Sequence, residues 1–292
     1  MATTEPDVVE HVPVADDVAL HVRRWDGGDR RPMLLVHGLA SNARLWDGVA
    51  HHLRAAGHPV AAVDQRGHGR SSTPDDGYDM GGVVEDLRRL LAHLDERLGW
   101  DRPVVAGQSW GGNVVVELAA THPGLTAGVV GVDGGAIELA ERFESWEACA
   151  AALRPPNLVG TARADLERML RSSHPDWPDS GIQGTLACFE VRDDGTIAPW
   201  LTLERHLLVL RGLWEHRPSQ RFAVIEEPVL LLGADAGAGG DWHEAKVQGH
   251  AVAAASLRRG RVEWLRGDHD LHAQHPERVA DVLARFADEI ET

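Results

Sequence analysis

Two hydrophobic patterns alternate along the first 136 residues of the chain. Continuous apolar runs at Met33–Val36 and Val60–Val63 are typical of strands that are buried on both faces. An earlier run at residues 18–25 predicts a further strand, and residues 45–56 carry apolar side chains at helical spacing. This alternation predicts parallel strands that are joined by crossover helices.

The same alternation continues to residue 132. A helix is predicted at 82–98, with apolar side chains on one face at positions 83, 84, 87, 90, 91, 94 and 98. The apolar run 103–106 then predicts a strand, 112–121 a helix and 127–132 another strand. The pattern indicates an α/β fold with a mostly parallel, doubly wound sheet.

The alternation stops after residue 136. Residues 137–218 are helical in pieces, at 146–153, 164–171 and 201–214, and prolines at 155–156 and 175–178 interrupt them. Strand and helix patterns resume with an apolar run at 229–232, a helix at 244–256 and a last strand at 261–265, and end in a helix that Pro276 opens. We therefore expect an α/β core formed by residues 1–136 and 219–292, with residues 137–218 inserted as a helical cap.

Composition and charge limit the possible partners. The 292 residues include 43% hydrophobic and 25% charged ones, and 45 acidic residues outnumber 29 basic ones, for a net charge of −16. This charge opposes binding to nucleic acid and to anionic membranes. Residues 1–10 lack a basic segment followed by an apolar one, and no run approaches the ~20 apolar residues of a membrane span. We expect a cytoplasmic monomer or homodimer that acts on a small molecule.

The strongest chemical signal is a G-x-S-x-G pentapeptide, Gly107-Gln108-Ser109-Trp110-Gly111, between a predicted strand and a predicted helix. A strand that reverses directly into a helix holds the central serine in a strained turn. The flanking glycines let the two backbones pass each other. This context predicts that residues 107–111 form a nucleophile elbow, with Ser109 as an exposed nucleophile.

A serine hydroxyl needs a base, and His269 is the best placed of the 17 histidines. It follows the last predicted strand, where a loop can carry it back to Ser109. His269, His272 and His275 form an H-x-x-H-x-x-H run, but no cysteine or carboxylate shares a fixed spacing with them. We therefore expect a catalytic base, with no metal and no cofactor.

The pentapeptide and His269 resemble the α/β-hydrolase superfamily, as do two other segments. His37-Gly38-Leu39 is similar to the H-G-x segment of that family, and residues 64–71 to its D-x-R-G-x-G-x-S stretch. The resemblance covers nearly the whole chain outside the cap. It implies an α/β-hydrolase fold and an oxyanion hole formed by the backbone amides of Leu39 and Trp110. It also implies a structural role for residues 64–71.

Two aspartates are candidates for the acid that orients His269. Asp235 follows the penultimate strand, where most members of the family keep their acid, but a glycine-rich segment comes directly after it. Asp133 follows the strand after the elbow helix, a position that resembles the acid of haloalkane dehalogenases and some lactone hydrolases. We favour Asp133, because a glycine-rich loop holds Asp235 less rigidly, and keep Asp235 as the alternative.

The candidate residues predict a serine hydrolase that cleaves a small, mostly apolar carboxylic ester or lactone through an acyl-enzyme. The predicted substrate pocket contains His37, Gly38, Trp46, Trp146 and Trp214. A serine in the elbow argues against epoxide and haloalkane chemistry, which use aspartate there. Two alternatives stay open: an acyltransferase or cyclase of the same fold in a biosynthetic pathway, and a ligand receptor that keeps the triad.

Overall fold

A computed structural model describes residues 4–237 and 239–291. Its main feature is an eight-stranded sheet. In chain order the strands of this sheet are β1 (Val8–Pro13), β2 (Ala19–Trp25), β3 (Met33–Val36), β4 (Val60–Val63), β5 (Val104–Gln108), β6 (Gly128–Val132), β9 (Val229–Asp235) and β10 (Gly260–Arg266). A separate hairpin is formed by β7 (Phe189–Val191) and β8 (Ile197–Pro199).

The spatial order of the strands is β1-β2-β4-β3-β5-β6-β9-β10. The β1–β2 and β2–β4 pairs are antiparallel, and every later pair is parallel. The central strands β3, β4, β5 and β6 are buried at every residue, as their continuous apolar runs predict. The predicted α/β class with a mostly parallel sheet is therefore confirmed.

Helices cover both faces of the sheet and separate two apolar cores. One face carries α2 (Met80–Leu98), α3 (Trp110–Thr121) and α8 (Asp241–Ser256), and the other carries α1 (Asp47–Ala55) and α10 (Pro276–Glu291). The predicted apolar face of α2 is buried from Val83 to Leu94. Asp79 caps its first turn through Gly82 N at 3.1 Å, and Gly99 ends it in the left-handed conformation.

The chain between β6 and β9 contains four more helices and the β7–β8 hairpin. The helices are α4 (Trp146–Ala152), α5 (Arg163–Ser173), α6 (Asp179–Leu186) and α7 (Leu203–Glu215). Asn42, which follows β3, donates to the carbonyl of Gly184 at 2.8 Å, and Trp177 donates to Asp268 after β10 at 3.2 Å. Both contacts lie beyond the carboxyl ends of strands, so this segment covers that edge of the sheet.

The structure also contains elements that the sequence pattern does not predict. They are β1, α6, the β7–β8 hairpin and the short helix α9 (Leu271–Gln274), together with a 3-10 turn at Ala43–Trp46 before α1. Strand β1 lies at the edge of the sheet and exposes every second residue, so it has no apolar run. Helix α6 follows the prolines at 175–178, which in the sequence indicate an interruption of helical structure. Within the described chain, none of the helices combines the length and apolarity that a bilayer crossing requires.

Three buried histidines predict a loss of stability in acid. Burial lowers the pKa of His68 and His272 to about 3 and that of His250 to about 4, below the ordinary 6.5. As the pH falls below 6.5, these histidines bind protons in the unfolded chain but stay neutral in the folded chain. The free energy of unfolding therefore decreases as the pH falls. The three together give a slope of up to about 4 kcal/mol per pH unit between pH 6 and 4.

Urea unfolding at a series of pH values measures this slope. The His272→Phe variant is the control, because both ring nitrogens of His272 lack a partner among the described residues and its ring packs 4.4 Å from that of Trp46. It should reduce the slope by about 1.4 kcal/mol per pH unit. A free energy of unfolding that stays level from pH 6.5 to 4.5 would contradict the prediction.

Candidate active site

Ser109 occupies a strained turn between β5 and α3. Its backbone angles are φ 53° and ψ −120°, a region that costs a residue with a side chain about 1–3 kcal/mol. A Cβ on Gly107 would lie 2.1 Å from the carbonyl oxygen of Gly111, so the close approach of strand and helix requires glycine. The Ser109 hydroxyl makes no hydrogen bond within the described chain. It is a free polar group at the end of the central strand.

His269 lies in the loop between β10 and α9, against the end of β5. Its carbonyl oxygen accepts a hydrogen bond of 3.2 Å from Nε2 of Gln108, the residue directly before Ser109. The same amide group donates to Asp270 at 3.2 Å. Through these contacts the β10–α9 loop is held next to the elbow. No hydrogen bond joins the side chains of His269 and Ser109 among the described residues, and hydrogen bonds of this kind often tighten only when substrate binds.

Asp133 is the hydrogen-bond partner of the His269 ring. Its Oδ2 accepts a hydrogen bond of 2.5 Å from Nδ1 of His269, and its Oδ1 accepts one of 2.7 Å from the backbone amide of Ala234. The residue has φ 46°, and only 1% of the side chain is exposed. The other candidate acid, Asp235, instead accepts a hydrogen bond from Gly237 N at 2.9 Å within its own loop. The structure brings Asp133, and not Asp235, to the histidine.

The two partners shift each other's pKa in opposite directions. Burial alone would raise the pKa of Asp133, but hydrogen bonds and charges from His269 and Lys246 outweigh it and lower the pKa below its ordinary value. Desolvation would likewise lower the pKa of His269, but the hydrogen bond to Asp133 and the charges of Asp270 and Asp133 raise it. The pair therefore favours a carboxylate beside a protonated imidazole, which is the state that a general base reaches after taking a proton.

Two backbone amides next to Ser109 are free to donate. Trp110 is the first residue of α3, where helix geometry leaves the N–H without an intrahelical acceptor. Leu39 follows Gly38, where an added Cβ would lie 3.0 Å from Ser109 Cβ, so this segment lies against the elbow. Among the described residues no carbonyl accepts either amide. The Trp110 side chain is buried and stacks on His68 at 5.5 Å.

Three residues of the predicted substrate pocket are buried in this structure. His37 is completely buried: it accepts a hydrogen bond from Gln65 N at 3.0 Å, and its Nδ1 lies 2.7 Å from the carbonyl oxygen of Gly38. Trp46 is also completely buried, in the core beside α1 and α10. The His37 side chain supports the segment at Gln65, and the Trp46 side chain fills the core, so their role in substrate binding stays a prediction. Gly38 is buried as well and contributes close packing rather than a surface.

Trp146 and Trp214, the two predicted pocket residues of the inserted segment, are half-buried. Their rings lie 6.1 Å apart, and the guanidinium of Arg211 lies over both, 5.1 Å and 4.8 Å from the ring centres. Both pack against the same apolar cluster as Leu39. Their role in substrate binding stays a prediction.

Sequence reasoning missed Lys246 of α8. Its Nζ lies 2.7 Å from Oδ1 and 2.9 Å from Oδ2 of Asp133. The one available signal was compositional, because Lys246 is the only lysine in the chain. In residues 4–237 and 239–291, no group of three or more histidine, cysteine, aspartate or glutamate side chains has the arrangement of a metal site.

Comparison with known proteins agrees with the fold. The family model for the alpha/beta hydrolase fold matches residues 31–173, which include the Leu39 segment, Ser109 and Asp133. The chain belongs to the α/β-hydrolase superfamily. A crystal structure of E-2-(acetamidomethylene)succinate hydrolase has a TM-score of 0.76, covers 96% of this chain and 99% of its own, and is 23% identical, so it shows the α/β-hydrolase fold alone.

Curated relatives of this α/β hydrolase carry several different names. A 2-(acetamidomethylene)succinate hydrolase of Mesorhizobium japonicum is 26% identical over 93% of this chain and 92% of its own length. A putative non-heme haloperoxidase of Mycobacterium phage D29 is 35% identical over 37% of the chain, and Lipase LipV of Mycobacterium tuberculosis is 32% identical over 52%. The chain spans only 38% and 54% of the lengths of these two.

Proposed function

We propose that the chain is a serine hydrolase that cleaves a small, mostly apolar carboxylic ester or lactone through an acyl-enzyme on Ser109. The observation that carries this proposal is the 2.5 Å hydrogen bond between His269 and the buried Asp133, next to a serine held in a strained strand-to-helix turn. A nucleophile, a base and a group that orients the base are the components of acyl transfer. The names of the lipase and the hydrolase relatives support the same reaction class.

In the proposed first half-reaction, Ser109 Oγ attacks the substrate carbonyl carbon while His269 Nε2 takes the hydroxyl proton. Asp133 accepts the Nδ1 proton of His269 in a hydrogen bond, which fixes the tautomer and stabilises the imidazolium. The amides of Leu39 and Trp110 bind the oxyanion, and each such donor stabilises the transition state by about 3 kcal/mol. The imidazolium then gives its proton to the leaving alcohol oxygen.

The second half-reaction releases the acyl group. His269 takes a proton from a water molecule, the hydroxide oxygen attacks the acyl carbon, and Ser109 leaves with the proton from the imidazolium. In a lactone the leaving oxygen stays attached to the acyl chain, so the product is a hydroxy acid. The half-buried Leu39, Trp146 and Trp214 favour an apolar acyl or alcohol group.

A panel of chromogenic esters of increasing acyl length, together with lactones of several ring sizes, tests the substrate class. We expect hydrolysis of short apolar esters or lactones, at a rate that a metal chelator leaves unchanged because the proposed steps use only side chains and amides of the chain. Labelling of Ser109 by a fluorophosphonate probe should stop the reaction.

The same measurements distinguish the alternatives. Transfer of the acyl group to an added alcohol or amine in preference to water would identify an acyltransferase. A folded chain whose Ser109 is not labelled by the probe would contradict the hydrolase and indicate a receptor.

A further inference from the structure

Lys246, the only lysine of the chain, lies on the Asp133 carboxylate. Its Nζ bridges both carboxylate oxygens, at 2.7 Å and 2.9 Å, and also donates to the carbonyl oxygen of Ala234 at 2.9 Å. The Lys246 side chain is only 24% exposed. The triad chemistry does not itself require a cation here, because the Ala234 amide already donates to the carboxylate.

We propose that Lys246 is a positioning residue of the triad, which fixes the Asp133 carboxylate against His269 and offsets part of its negative charge. This inference rests on the proposed function. Oδ1 accepts a hydrogen bond from Ala234 N and contacts the ammonium, and Oδ2 accepts hydrogen bonds from both the ammonium and His269. The carboxylate cannot rotate without breaking these bonds, so the imidazole is held by an acceptor of fixed orientation.

The second effect of Lys246 is electrostatic. The Lys246 ammonium repels the imidazolium of His269, whereas the Asp133 carboxylate attracts it. The ammonium therefore offsets part of the stabilisation that the carboxylate gives to the imidazolium. Desolvation and the Lys246 charge lower the pKa of His269, but the hydrogen bond to Asp133 and the charges of Asp270 and Asp133 outweigh them and raise it. The base is therefore deprotonated, and competent to activate Ser109, at lower pH than it would be beside an unpaired aspartate.

Other titratable groups near the pair do not replace this cation. Burial lowers the pKa of His250, one turn after Lys246 in α8, to about 4, and that of His272 to about 3, so both are neutral at pH 7. Burial raises the pKa of Asp270, which adds negative charge when it ionises. Asp268 of the same loop lies beside His174, with Oδ2 and Nδ1 3.7 Å apart, and Asp176 accepts a hydrogen bond from Gln274 of α9.

The rate of Ser109 labelling by a fluorophosphonate probe, measured from pH 5 to 9, tests the inference without a known substrate. The acid limb of this profile reports the deprotonation of His269. In the Lys246→Met variant the limb should move to higher pH by about one unit, and labelling on the limb should slow by up to about tenfold. The Lys246→Gln variant keeps a donor to the carboxylate but no charge, and should give the same displacement.

Arg258→Met is the matched control. It removes one positive charge just beyond the far end of α8, from a side chain that is 63% exposed and paired with Glu226, so the limb should stay in place. Thermal unfolding checks that each variant is folded. A limb that does not move in either Lys246 variant, with a lower rate at every pH, would show a merely structural lysine and overturn the inference. Absence of labelling in the unaltered chain at every pH would instead overturn the proposed function.

Discussion

The Ser109→Ala variant is expected to lose ester turnover by about 10⁵-fold, because no other group of the proposed site can form the acyl-enzyme. The oxyanion amides of Leu39 and Trp110 belong to the backbone and remain in place. Residual hydrolysis should therefore come from transition-state binding alone. Turnover by the purified variant, with an apolar ester from the panel, measures the loss.

Ser41→Ala is a suitable control for this substitution. Ser41 lies two residues after Leu39, and its hydroxyl is buried without a hydrogen-bond partner in the described chain. Removing it changes the same chemical group in the same region without affecting the proposed nucleophile, so turnover should stay close to that of the unaltered chain. Undiminished turnover in Ser109→Ala, or an equal loss in both variants, would remove Ser109 from the mechanism.

The fold is predictable where burial follows from local pattern. Met33–Val36 and Val60–Val63 are strands with the expected bounds, because each is a continuous apolar run between polar or turn residues. The elements that the pattern misses depend on tertiary contacts. Helix α6 buries Ile182 and Leu186 against a small cluster that also contains Ile197 of β8, and the pattern of residues 179–186 alone does not indicate this partner.

The site is predictable to the level of the nucleophile and its base. G-x-S-x-G and the H-G-x segment describe backbone geometry, which local sequence determines. They say nothing about where the side chain of His37 points, and it is buried. Trp46 is a pocket candidate in the sequence because it is large and apolar, but the same property buries it in the core.

The choice between Asp133 and Asp235 could not be made from local sequence. Both residues lie at the carboxyl ends of parallel strands of the same sheet, β6 and β9, which are neighbours. The two residues differ in which carboxylate faces the β10–α9 loop. The orientation of Asp133 depends on its positive φ angle and on contacts with the Ala234 amide and the Lys246 ammonium. These donors come from more than a hundred residues further along the chain.

Asp133→Asn should lower turnover by about 10⁴-fold, whereas Asp235→Asn should leave it nearly unchanged. An amide at position 133 can donate to Nδ1 of His269, which stabilises the wrong tautomer and removes the charge that stabilises the imidazolium. In the described residues the Asp235 side chain accepts a hydrogen bond from Gly237 N, and an asparagine oxygen can accept the same bond. Turnover of the two variants under identical conditions makes the comparison.

Asp133→Asn also leaves the Lys246 ammonium without its carboxylate, which destabilises the fold independently of any catalytic effect. The double variant Asp133→Asn/Lys246→Met separates the two consequences, because it removes the unpaired charge and keeps the neutral amide. We expect it to recover much of the thermal stability that the single variant loses, with turnover still low. If turnover returned together with stability, the low turnover of Asp133→Asn would result from impaired folding, and Asp133 would be a structural residue. Comparable losses in Asp133→Asn and Asp235→Asn would lead to the same conclusion, since no hydrogen bond joins Asp235 and His269 among the described residues.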